Sequence, residues 1–135
     1  MAHALISFDR SGLDDEDPSR TDSDDGRGGR KCLLWLSQAL ATFPNDGVDK
    51  EPVAEDWGWV IGVKCGPDGL MLGCSEVGGA EPQWCAQIAN FGGGGLLPGV
   101  RKRRAEAVDK LASHIYAFLK AQPDVSNLRR EAGRG

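Results

Sequence analysis

The run Trp57-Gly58-Trp59-Val60-Ile61-Gly62-Val63-Lys64-Cys65, with the turn Gly66-Pro67-Asp68-Gly69 and the return Leu70-Met71-Leu72-Gly73-Cys74, most narrowly limits what this chain can fold into. Successive side chains on a strand point to opposite faces, so Trp57, Trp59, Ile61, Val63 and Cys65 share one side and Gly58, Val60, Gly62 and Lys64 the other. In the return run Leu70, Leu72 and Cys74 share a face. This is the pattern of a β-hairpin with one apolar side. Two registers fit the turn chemistry. A type I turn at Pro-Asp-Gly with a left-handed glycine pairs Gly66 with Leu70. A four-residue loop pairs Cys65 with Leu70, Val63 with Leu72 and Ile61 with Cys74. Only the second keeps both apolar sets on one side, because a one-residue slip turns every side chain over. It is therefore the expected register. It sets Gly62 opposite Gly73 and leaves the back of the sheet nearly bare, open to water or to another chain.

Further along, Trp84, Ala86 and Ile88 alternate within Gln83–Phe91 and predict a third strand of an antiparallel meander. Two segments carry helical spacing. Leu33, Leu36, Leu40 and Phe43 predict a helix over Arg30–Phe43, stopped by Pro44-Asn45-Asp46-Gly47. Val108, Leu111, Ala112, Ile115, Phe118 and Leu119 predict a second, from Val100 to Gln122, with Pro123 behind it. The expected fold is α+β. It is a two-layer α/β sandwich, an antiparallel sheet of three to five strands with two helices on one face, in the order (β)-α-β-β-β-α. The bracketed strand lies within residues 1–9, in Ala2-His3-Ala4-Leu5-Ile6-Ser7-Phe8, and a short edge strand is placed near Pro52-Val53-Ala54.

Domain organisation follows from composition. Asp9 to Asp25 holds eight acidic residues against two arginines, with one leucine. Such a segment buries too little apolar surface to offset its ordering entropy, so residues 10–29 read as an acidic disordered segment or long loop. Residues 30–122 read as one α/β domain and 123–135 as a flexible tail with little to bury.

The 135 residues carry a net charge of −4, which argues against a protein given over as a whole to nucleic acid. No apolar run is long enough to span a bilayer, so no membrane partner is expected. The N-terminus lacks the basic-then-apolar pattern of a signal peptide, and the expected location is cytoplasmic. Cys32, Cys65, Cys74 and Cys85 include no close pair, so packed, reduced thiols are expected rather than a zinc site. Gly92 to Gly95 lacks the Gly-Lys-Ser/Thr ending of a phosphate loop, and no nucleotide or other cofactor is expected.

The basic cluster Arg101-Lys102-Arg103-Arg104 is the most specific functional hint. Four cations at a helix start oppose the positive end of the helix dipole. Free amides at a helix start also attract anions, so the cluster fits a phosphate, an acidic peptide or a nucleic-acid backbone. The plainer reading has Glu106 and Asp109 one turn on neutralising it. Trp35 lies off the apolar line of its helix and reads as an anchor for a partner. Trp57, Trp59 and Trp84 read as core. Glu55 and Asp56 are adjacent and so face opposite ways, which disfavours a catalytic carboxylate pair. His114 reads as a half-exposed helix residue. The expected role is a non-catalytic protein-interaction module that binds a protein partner through the open sheet face, the basic helix start, or both. The alternative is anion or nucleic-acid-backbone binding through the cluster. An enzyme using Asp56 or a cysteine ranks last.

Overall fold

The structure is a computed structural model and describes residues 3–13, 29–77, 83–90 and 98–132. Its elements are strand β1 (His3–Asp9), helix α1 (Arg30–Leu36) running into a 3-10 segment (Ser37–Thr42), strands β2 (Gly47–Val48), β3 (Val53–Glu55), β4 (Gly58–Cys65), β5 (Asp68–Val77) and β6 (Gln83–Asn90), helix α2 (Pro98–Lys120) and strand β7 (Ser126–Ala132). All the strands join one antiparallel sheet in the order β2-β4-β5-β6-β1-β7, with β3 also paired to β4. The α+β class and the one-sided antiparallel sheet match expectation. Among the described residues the sheet has seven strands, not three to five, and the order expected from the sequence is not matched.

One face carries the core. Ala4, Ile6 and Phe8 of β1, Ile61 and Val63 of β4, Leu70, Leu72 and Cys74 of β5, and Trp84, Ala86 and Ile88 of β6 are all buried. The pairings Phe8↔Trp84, Ile6↔Ala86, Cys74↔Ala86, Leu72↔Ile88 and Ile61↔Leu72 bring these side chains into rows on one side. Helix α2 covers them with Val108, Leu111, Ala112, Ile115 and Leu119, each at most 3% exposed. The four larger of these side chains each contribute about 1.5–3 kcal/mol on leaving water. Helix α1 adds Cys32, Leu33 and Leu36. It changes to 3-10 geometry after Leu36, where the Ser37 hydroxyl donates back to the Leu34 carbonyl at 2.7 Å.

The hairpin register differs from both alternatives. Cys65 pairs with Asp68 and Val63 with Leu70, so the loop is two residues, Gly66-Pro67. Gly66 has φ 58°, and Pro67 cannot have positive φ, which makes the turn type II′. The shift from the expected register is two residues, so every side chain keeps its face. Gly73 now lies opposite Val60, and Gly62 opposite Met71.

The C-terminal segment is not a free tail. Residues Ser126 to Ala132 form β7 on the outer side of β1, so β1 is an interior strand. Asn127, at φ 52°, donates to Asp9 Oδ2 at 2.6 Å across a register shift. Leu128 packs against the core, and Arg130 bonds Asp109 of α2 at 2.6 Å. The acidic segment also starts inside the fold. Its single leucine, Leu13, is 2% exposed in the core, and the Arg10 carbonyl accepts a bond from Trp84 Nε1 at 3.2 Å. Residues 14–28 lie outside the described residues, as do 78–82 and 91–97.

Candidate functional site

Helix α2 begins at Pro98, two residues earlier than the spacing predicts, with proline at the first helical position where its missing N–H costs nothing. The cations therefore occupy the fourth to seventh helical positions. Arg101 and Lys102 are exposed. Arg103 reaches across to Asp68, the first residue of β5: its Nε donates to Oδ2 at 3.2 Å and its Nη2 to Oδ1 at 3.1 Å. Arg104 Nε lies 3.9 Å from the same carboxylate. The hydrogen bond to Asp68, and then the charge of Asp68, raise the Arg103 pKa above its ordinary value. Asp68 is 7% exposed and is held by charge-assisted bonds. Glu106 and Asp109 do not take the role expected of them; Asp109 binds Arg130 instead. The four residues are thus split into a structural pair facing the hairpin and an exposed pair facing out. The split places Arg103 on the rim of a cleft of about 390 Å³ between Phe43, Cys65 and Lys110. Burial, and then the charges of Asp46 and Asp68, push the Cys65 thiol up, which suppresses its thiolate.

Trp35 is half-buried and contacts its own chain. Its ring sits 6.1 Å from Phe8 and 5.2 Å, edge-on, from Phe118, with the Arg10 guanidinium 4.4 Å above it. Arg10 is itself tied to Asp124 at 2.9 Å. His114 Nε2 lies 2.7 Å from the Ala39 carbonyl and 3.1 Å from Thr42 Oγ1, joining α2 to the end of the 3-10 segment.

The sheet face away from the helices forms the other candidate surface. Cross-strand rows on it run Val53, Val60, Gly73, Gln87, Leu5 and, one row over, Gly62, Met71, Ala89, His3. Trp57 belongs here and not in the core. Glu55 pairs with Gly58, so Asp56-Trp57 is a two-residue turn and Trp57 escapes the alternation that Trp59 obeys. Its indole lies on Gly73: a Cβ there would fall 2.5 Å from Trp57 Cη2 and 3.2 Å from Val60 Cγ1. Val53, Trp57 and Val77 are exposed at 53%, 40% and 39%. Sequence alternation missed this patch because it extended the strand by one residue through the turn. On the same face Cys85 is pushed up by burial and the Glu131 charge, partly opposed by bonds with Ser7 and Ile6.

Among the described residues no three His, Cys, Asp or Glu side chains gather as a metal-ion set, and no helix is long and apolar enough to cross a membrane. Comparison with protein-family models, with curated proteins and with solved structures finds no match.

Proposed function

We propose that this protein is a non-catalytic interaction module that binds a protein partner through the open sheet face. The observation that supports the reading is the exposed Val53 and Trp57 beside the Trp57–Gly73 stack, with exposed Val77 further along β5 on the same face. Large apolar side chains grouped on one face mark a contact surface more often than scattered ones do. A tryptophan resting on a glycine floor with its other face exposed presents a broad apolar anchor to a partner. The partner's side of the contact is an apolar strand or helix surface. Alternatively, exposed Arg101 and Lys102 bind an anion or nucleic-acid backbone; with Arg103 and Arg104 turned to Asp68, this surface offers half the charge of the linear motif.

The test is affinity capture from native lysate, with and without nuclease and with stepwise salt elution. The baits are the natural chain, a Val53→Ser/Trp57→Ser variant and an Arg101→Ser/Lys102→Ser variant, each with an unchanged circular dichroism spectrum. A nuclease-resistant protein lost only from the first variant is the expected result. Loss only from the second, with release at moderate salt, replaces this reading by polyanion binding.

A further inference from the structure

The core face brings together two cysteines that are far apart in sequence. Cys32 lies in the first turn of α1 and Cys74 on β5; both are 0% exposed. They are 42 positions apart, and their sulfurs are 2.7 Å apart. Non-bonded heavy atoms settle at about 3.5–4.0 Å, whereas a disulfide bond is about 2.0 Å long. The pair is therefore nearer to bonding distance than to packing distance.

The backbone builds this approach. Gly29 has φ 130° and enters α1 directly against Cys74, where a Cβ would lie 2.5 Å from the Cys74 carbonyl oxygen. Gly58 crowds the same oxygen from β4. Cys74 is thus clasped between two glycines, and Cys32 follows Gly29 by three residues. The other two thiols lie elsewhere. Cys65 is at the hairpin end of β4, and Cys85 is on the opposite sheet face, where it pairs with Ser75.

We propose that Cys32 and Cys74 form a disulfide site that closes when a hydroperoxide oxidises the protein. In the first step the short, uncapped α1 opens from β5 to admit the peroxide, one sulfur attacks the O–O bond and gains an oxygen as sulfenic acid, and the departing hydroxide takes up the thiol's proton and leaves as water. In the second, the other sulfur attacks the sulfenic sulfur, the S–S bond forms and a second water leaves. Two thiols and one hydrogen peroxide give one disulfide and two waters. A dithiol reverses it by exchange. The bond pins α1, which is seven residues long and has no side-chain cap, to an interior strand.

The experiment uses the full chain with Cys65→Ser and Cys85→Ser, so that only Cys32 and Cys74 remain. After hydrogen peroxide and removal of excess, the protein is denatured and treated with maleimide. The expected product is monomeric, lighter by two hydrogens and unlabelled, and takes two labels after reduction. Its melting temperature is higher than that of the reduced form by roughly 10 °C, since closing a loop of this length restricts the unfolded chain. If the double variant fails to fold, the natural chain gives the same readout: four labels when reduced and two, on Cys65 and Cys85, when oxidised. Two labels on the oxidised double variant, labels on Cys32 or Cys74 of the oxidised natural chain, or a covalent dimer overturns the proposal.

Discussion

Arg103 of α2 holds Asp68 of the hairpin turn with two hydrogen bonds, 3.1 and 3.2 Å long. The Asp68 side chain is 6% exposed and that of Arg103 48%, so a surface cation neutralises a buried anion. Replacing Asp68 with Asn leaves Arg103 and Arg104 repelling each other beside the turn. The melting temperature should fall by a few degrees, and less so at high salt. In that background Arg103→Ser should add little, because the two residues act as one unit. Additive losses in a double-mutant cycle would separate them.

Gly73 is the floor under Trp57. Gly73→Ala should displace the indole at a cost of about 1 kcal/mol, because the ring is free to swing towards water. Tryptophan emission should shift to the red by an amount that Trp57→Phe abolishes. An unchanged spectrum would mean that the ring does not rest there.

Gly29 and Gly12 separate conformation from crowding. Both have positive φ, 130° and 83°, but only at Gly29 would a Cβ meet backbone. Gly12→Ala should cost about 1–2 kcal/mol, the left-handed penalty alone. Gly29→Ala should cost about 3 kcal/mol or more, since α1 must move off β5. Urea titrations of the two variants give the comparison, and equal midpoints would count against the clasp around Cys74.

Burial raises the thiol pKa of both Cys65 and Cys85 above the ordinary 9.0. The folded state therefore favours the protonated thiols. That stability is present below pH 9.0 and is lost as pH rises through the higher folded values. A Cys65→Ser/Cys85→Ser variant should lose less stability than the natural chain as pH is taken from neutral to above 9.0. In addition, Glu131→Gln should speed alkylation of Cys85 by removing a repelling charge. An unchanged rate would leave burial as the sole cause.

Removal of residues 125–135 deletes β7 and exposes the edge of β1. Val125 and Leu128 lose their partial burial, a cost of about 2–3 kcal/mol. The bare edge should also promote self-association, visible as concentration-dependent sedimentation. A truncated chain as stable and monomeric as the full one would mean that β7 adds nothing to the sheet.

The sequence by itself determined most of the residues of β4, β5, β6 and α2 that face the core, with Trp57 and Leu13 the exceptions outside them. Period-two alternation marks Ile61, Val63, Leu70, Leu72, Trp84, Ala86 and Ile88, and helical spacing marks Leu111, Ile115 and Leu119; all are buried. These patterns are local, and each repeats often enough to be read without the partner strand. Tertiary structure alone decided what depends on distant pairing. The mostly polar Ser126–Ala132 becomes a strand because β1 offers it an edge across almost the whole chain. The two-residue turn at Gly66-Pro67 and the four-residue loop give the same side-chain faces, so alternation could not separate them. Likewise Asp68 claims Arg103, Gly73 supports Trp57 and Cys74 meets Cys32 only after α2, the β3–β4 turn and α1 have docked. Each of these contacts joins residues that carry no mutual signal along the chain, and packing brings them within reach.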